Sequence, residues 1–436
     1  MQFGKLYVIM KKVKIISSFK EIKMKKTILR EYARLIAQSG VATKKGDVVM
    51  IQAGLDQPEF ITMLVDECYK AGADRVIVDW SYLKVTKLHI RHQKAKVLGK
   101  VEDFEEAKLK YRLEKNPSMI YVLSDDPNGL AGINQAKYSK AMQEKMKVIK
   151  PYREAMDNKY KWCIAAVPGA EWARMVFPGV RTSIAIEKLW NAILLTSRVI
   201  DKDGNMLDSN IEWFRHNRNF TQRCKALNEA GLTKLVYKSA NGTDLTVGLM
   251  SEGSFLGGGE YTLGGEYYNP NIPTEEIFTT PKAGEAEGIV YSSMPLSWRG
   301  EIIDNFSIRF EGGRAVEVKA EKNEDLLKQM IAMDEGAAML GECALVPYDS
   351  PIRNSGIMFF ETLFDENAAC HFAMGEGFTN TVKNFDKYSR EELKEMGVND
   401  SNIHVDFMIG TADLSITGIK ADGSEFKIFE NGNWAF

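Results

Sequence analysis

Residues 403–410 read Ile-His-Val-Asp-Phe-Met-Ile-Gly, an alternating run rich in β-formers that predicts a strand. Residues two apart on a strand share a face. His404 and Asp406 therefore project side by side, with Val405 and Phe407 on the opposite face. An imidazole beside a carboxylate on a rigid element suits a divalent cation of the Zn, Mn or Co type. The same pair also serves as a buried His–Asp hydrogen bond that only ties a sheet together.

Other segments extend this pair. The chain has five histidines, and the second one of interest, His371, follows Asp365-Glu366-Asn367-Ala368-Ala369-Cys370. Glu342 lies in the apolar run Gly341-Glu342-Cys343-Ala344-Leu345-Val346, where an ionised side chain is costly unless paired or bound to metal. Asn269-Pro270-Asn271-Ile272-Pro273-Thr274-Glu275-Glu276 is a proline-fixed loop that delivers two acids in succession; Thr274 with those acids also reads as a plain helix cap. His89 and His92 fall in a Lys/Arg-rich helical stretch and read as a solvated basic face. A His/Glu/Asp set without cysteine suits a catalytic Zn, Mn or Co site, and carboxylate-rich sites of this kind often hold two ions. The candidate ligands are Glu276, Glu342, His371, His404 and Asp406.

These residues need a scaffold. The chain has 436 residues, enough for two or three domains, and 44% hydrophobic content, ordinary for a globular protein. Its net charge of −2, from 57 basic and 59 acidic residues, argues against nucleic acid as the main partner. The five cysteines are scattered without a Cys-x-x-Cys pair, which argues against disulfide frameworks and thiolate zinc sites and for a reducing compartment. No apolar run is long enough for a transmembrane helix. Residues 1–23 make a poor signal peptide, and Met24 opens a convincing helical pattern. The expectation is a cytoplasmic protein whose first 23 residues are a non-native or disordered extension.

From Met24 to about Ala230 strand and helix patterns alternate. Val48–Gln52, Val76–Val78, Met119–Leu123 and Trp162–Val167 read as strands, and Pro58–Ala71 reads as a helix stopped by Gly72. This rhythm predicts an α/β domain with a mostly parallel sheet over residues 24–230. After Leu232 short alternating runs dominate, and Glu311-Gly312-Gly313-Arg314 predicts a hairpin turn. Residues 231–436 therefore read as a β-rich α+β domain that carries the candidate ligands. The glycine-rich stretch Gly253–Gly265 reads as a loop, since it lacks the Lys-Ser/Thr of a phosphate-binding loop.

Four segments in order resemble the bacterial dinuclear metallo-aminopeptidases of the aminopeptidase S and aminopeptidase T type. They are Ile272–Thr279, Gly341-Glu342 through Ile352, Leu363–Ala368 and His404–Gly410; the closing Asn431–Phe436 fits as well. The resemblance implies two divalent ions (Zn, Co, Mn or Mg) held by Glu276, Glu342, His371, His404 and Asp406. It makes Glu276 the bridging ligand, with Glu275 as competitor, and Glu342 a ligand, the general base, or both in turn. It also implies a homodimer, an N-terminal domain covering the active site, and release of N-terminal residues from peptides. The sequence departs from the family at Phe378, where members commonly carry Tyr, so a hydroxyl able to stabilise an oxyanion is missing. The rival readings are another dinuclear amidohydrolase and a catalytically impaired, metal-stabilised peptide-binding dimer.

Overall fold

Pro58 stands in the first turn of the helix Pro58–Ala71, where its missing N–H costs nothing, and Gly72 closes that helix with φ of +114°. A Cβ at Gly72 would also lie 2.8 Å from the Lys45 amide nitrogen. The helix follows strand β1 (Val48–Gly54) and leads back to β2 (Arg75–Ser81). The computed structural model describes residues 25–299 and 301–436, so the expectation for residues 1–23 lies outside the described residues. With β3 (Ser118–Leu123) and β4 (Trp162–Ala166), the first two strands form a parallel sheet in the order β2-β1-β3-β4. The α/β expectation holds here.

Helices Lys26–Leu35, Pro58–Ala71 and Thr182–Thr196 bury Tyr32, Phe60 and Trp190 in one core. The Tyr32–Phe60 and Phe60–Trp190 ring centroids are both 5.4 Å apart. Each such buried side chain is worth roughly 1.5–3 kcal/mol against exposure. Among the described residues no helix is long and apolar enough to cross a membrane.

The second half is β-rich, as expected, and its strands pair antiparallel. Glu301–Glu311 and Arg314–Lys322 pair as the predicted hairpin, with Gly312 and Gly313 both at positive φ in the turn. They belong to a nine-stranded sheet that also contains Leu232–Lys238, Asp244–Leu249, Pro281–Tyr291 and Ser415–Lys420. The Gly253–Gly265 loop holds two two-residue strands, Leu256–Gly257 and Glu260–Tyr261.

A second antiparallel sheet has the order His404–Met408, His371–Gly375, Leu340–Leu345, Ile277–Thr279, Leu256–Gly257. One face is apolar: Ile277, Cys343, Leu345, Phe372, Met374 and Phe407 join the core beneath it. The ring of Phe372 lies 4.8 Å from that of Tyr237, and Phe407 lies 5.7 Å from Phe306 on the large sheet. This contact fixes which way every residue of the smaller sheet points.

Candidate metal centre

The register of the smaller sheet collects the candidate ligands. Glu342 pairs with Ala373, and Ala373 pairs with Asp406, so one row across three strands carries two carboxylates on either side of a methyl group. His371 lies two residues from Ala373, and His404, opposite Gly375, lies two residues from Asp406. Ile277 pairs with Leu345, which places Glu276, one residue earlier, on the same face as Glu342. Gly375 has φ of +104°, and a Cβ there would sit 2.1 Å from the Ile403 carbonyl oxygen. Only glycine lets the chain close up at the His404 end.

All five candidates converge, in two groups. Glu276, Glu342 and His371 form one; Glu342, His404 and Asp406 form the other; within each, the donor atoms lie within 4.8 Å of one another. His371 Nε2 is 3.6 Å from Glu276 Oε2 and 3.8 Å from Glu342 Oε2. His404 Nε2 is 3.4 Å from Glu342 Oε2 and 3.2 Å from Asp406 Oδ1. The carboxylate common to both groups is Glu342, whereas Glu276 belongs to the His371 group alone. Glu342 stands on the strand Leu340–Leu345, next to the His371 strand, which itself adjoins the His404 strand. Glu275 is turned away, with its carboxylate 2.6 Å from the Arg198 guanidinium.

The donor chemistry fits divalent cations. Both imidazoles direct Nδ1 at a backbone carbonyl, His371 at Ala369 (3.1 Å) and His404 at Glu376 (2.7 Å). A carbonyl only accepts, so Nδ1 carries the proton and Nε2 faces the carboxylates with its lone pair. Lone pairs aimed at carboxylate oxygens repel unless a metal ion or a proton lies between them. Apart from His404 Nε2 at 3.2 Å, the buried Asp406 Oδ1 has no hydrogen-bond partner among the described residues, which leaves it open to a cation.

Charge points the same way. Burial, then the Glu342 charge, pushes the Glu276 carboxyl up to about 8, and burial raises Glu342. Burial alone would lower His404, but the Asp406 and Glu342 carboxylates outweigh it and push the imidazole up to about 11. Burial tends to raise Asp406, and His404 holds it below the usual range instead. Without ions, the site must hold extra protons to offset its negative charge.

Two contributors escaped the sequence reading. Glu366 belongs to neither group, yet burial and then the charges of Asp406, Glu276 and Glu342 raise its pKa well above the ordinary value. Asn367 is fully buried, and its Oδ1 accepts from the Glu275 amide at 2.7 Å and from Thr274 Oγ1 at 3.2 Å. Both lie in the Asp365-Glu366-Asn367-Ala368 segment, on a tight turn with no strand alternation to aim them. Phe378 stands at the rim, its ring 4.8 Å from that of His404 and 5.3 Å from that of Phe278.

Residues 25–434 match the model of the thermophilic metalloprotease family M29. The chain belongs to that family. This metalloprotease is 40% identical to aminopeptidase AmpS of Bacillus subtilis (strain 168), over 94% of its own length and 98% of the relative's. It is 38% identical to aminopeptidase PepS of Streptococcus thermophilus, over 93% and 97% of the two chains. The solved structure of wild-type AmpT from Thermus thermophilus superposes on it with a TM-score of 0.86 at 32% identity, covering 94% of the metalloprotease and 100% of AmpT.

Proposed function

We infer that the protein is a metal-dependent aminopeptidase that releases N-terminal residues from peptides. The observation that carries this reading is the convergence of Glu276, Glu342, His371, His404 and Asp406 on one sheet face, in a metalloprotease whose relatives are named aminopeptidases. Glu276 and His371 would hold one divalent ion, His404 and Asp406 a second, and Glu342 both. Such ions supply Lewis-acid polarisation of a scissile carbonyl and acidify a water enough to ionise near neutral pH.

The chain's own residues supply the rest. The apolar underside of the sheet, through Phe372 and Phe407, keeps the ligand face rigid. A carboxylate must take a proton from the attacking water and return it to the leaving amine. Glu342 is the residue the sequence nominates for this. Its shared position commits its oxygens to cations, which favours Glu366, a buried carboxylate that feels the charges of Asp406, Glu276 and Glu342 but lies outside both groups. Nearby divalent cations would pull the raised Glu366 carboxyl back toward its ionised form. Glu366→Gln with full metal content and turnover reduced by about 10²–10⁴-fold assigns proton transfer to Glu366. Full metal content with retained turnover returns the role to Glu342.

In this reading residues 24–230 cover the site that residues 231–436 carry, and the protein works as a cytoplasmic homodimer on short peptides. Zn, Co or Mn are the ions its mixed imidazole–carboxylate donors suit best. Chelator-treated protein is expected to lose activity on aminoacyl amides and to regain it with Zn²⁺, Co²⁺ or Mn²⁺. Undiminished activity in a Glu342→Gln, His404→Ala double variant would refute the mechanism. A panel of dipeptides, simple amides and phosphate esters separates a peptidase from another dinuclear hydrolase.

A further inference from the structure

Four of the five proposed ligands are built into strands of the sheet: Glu342 and His371 on inner strands, His404 and Asp406 on its edge strand. Glu276 is the exception: it ends a loop and precedes the strand Ile277–Thr279. That loop is gripped from the N-terminal half. Pro270 O accepts from the Ile164 amide at 2.7 Å and the Ile272 amide donates to Ile164 O at 3.0 Å, so the loop extends the β4 edge of the parallel sheet. His216, on the helix Ser209–Glu229, donates from Nε2 to the Thr274 carbonyl at 2.8 Å. The Arg198 guanidinium meets Glu275 at 2.6 Å, with side chains only 19% and 7% exposed.

Arg198 also adopts φ of +59°, a left-handed conformation that an arginine takes only where its surroundings hold it. It lies two residues past the helix Thr182–Thr196 and closes its last turn, donating its amide to Leu195 O at 3.1 Å. A strained backbone and a buried ion pair thus meet one residue from Glu276. From the catalytic half, Asn367 holds the Thr274 hydroxyl and the Glu275 amide.

We propose that Arg198, through its buried pair with Glu275, is a positioning residue by which the N-terminal half sets Glu276 and so governs retention of the ion in the Glu276–Glu342–His371 group. The inference rests on the paired-ion reading above. It is selective: the His404–Asp406 group has no ligand on this loop, so its ion should not respond.

The test is zinc per chain in zinc-loaded, desalted full-length protein, followed by competition with a fluorescent chelator. Wild type is expected to hold two equivalents. Arg198→Gly relieves the left-handed backbone while removing the guanidinium, and is expected to keep one ion tightly and bind the other about 10–100-fold more weakly. Arg198→Lys restores the charge and should recover part of that loss. Glu275→Gln keeps the side-chain shape and should lose the same ion, which covers the case in which Arg198→Gly does not fold. Two equivalents with unchanged affinity in both Arg198→Gly and Glu275→Gln overturn the brace. Equal weakening of both ions overturns its selectivity, and with it the proposal. Wild type holding fewer than two equivalents overturns the paired-ion reading itself, and the brace with it.

Discussion

Removing the ions should make stability fall as pH rises, and restoring them should cancel that fall. In the ion-free site, burial and then the Glu342 charge push the Glu276 carboxyl up to about 8, from an ordinary value of 4.5. A carboxyl raised on folding binds its proton more tightly in the folded state than in the unfolded one. Below pH 4.5 both states are protonated and nothing is lost; as pH climbs to about 8 the folded state is penalised, and above that the penalty is complete. At ~1.4 kcal/mol per tenfold, the full penalty is on the order of 5 kcal/mol. His404 acts in the same direction. Its imidazole, pushed up to about 11 from 6.5, stabilises fully below pH 6.5 and loses that contribution as pH rises toward 11. Divalent ions displace these same protons, so they bind more tightly as pH rises. Thermal unfolding of metal-free and zinc-loaded protein, followed at several pH values from about 5.5 to 8.5, should show a gap in midpoint that widens with pH. In Glu276→Gln the metal-free curve should flatten over the lower part of that range. A gap that stays constant or narrows would refute the account, since it would mean that the cluster holds no excess protons for ions to replace.

Phe378→Tyr puts a hydroxyl beside His404; if it meets a developing oxyanion, kcat on aminoacyl amides should rise by up to about 10²–10³-fold, and an unchanged kcat removes Phe378 as the missing donor. Phe372→Ala empties a fully buried position beneath the ligand face and should cost roughly 3–5 kcal/mol in denaturant unfolding; a loss under about 1 kcal/mol would show that the two sheets are not held there. Asp406→Asn keeps the side-chain shape but removes the charge in the His404 group, and should reduce zinc from two equivalents to one with Glu276 and His371 intact.

What the sequence discloses depends on how local the determining physics is. His404 and Asp406 are legible because period-two alternation alone sets them on one face, and the strand His404–Met408 is where that pattern predicts it. The α/β rhythm before residue 230 is legible for a similar reason, since Pro58 and Gly72 mark the helix ends chemically. Leu340–Leu345 and His371–Gly375 give no such signal: every residue in both is buried, so no polar alternation marks either as a strand. The shared position of Glu342 is hidden more deeply. It follows from the pairing of Glu342 with Ala373, and a bulge between Leu340 and Glu342 shifts that register. One residue of slip would turn Glu342 into the apolar core and bring Cys343 to the ligand face.

The two glutamates at 275 and 276 make the same point about longer range. Adjacent and chemically alike, they have opposite fates. One faces His371; the other is buried against Arg198, an arginine some eighty residues earlier in the chain. Nothing in the loop itself chooses between them, since Pro273 fixes backbone shape but not which acid faces inward. The pairing of Ile277 with Leu345 puts Glu276 on the ligand face, and the parallel sheet, through Ile164, and the helix carrying His216 hold the loop that leads into it. The N-terminal half therefore reaches the loop beside the cluster: its Arg198 gives Glu275 a partner, while Glu276 faces His371. An exchange of roles tests that logic directly. Glu275→Gln alone should disturb the loop, whereas Glu275→Gln combined with Arg198→Gln removes both buried charges and should restore much of the lost stability. If the double variant is no more stable than the single one, the buried pair does not decide which acid turns inward.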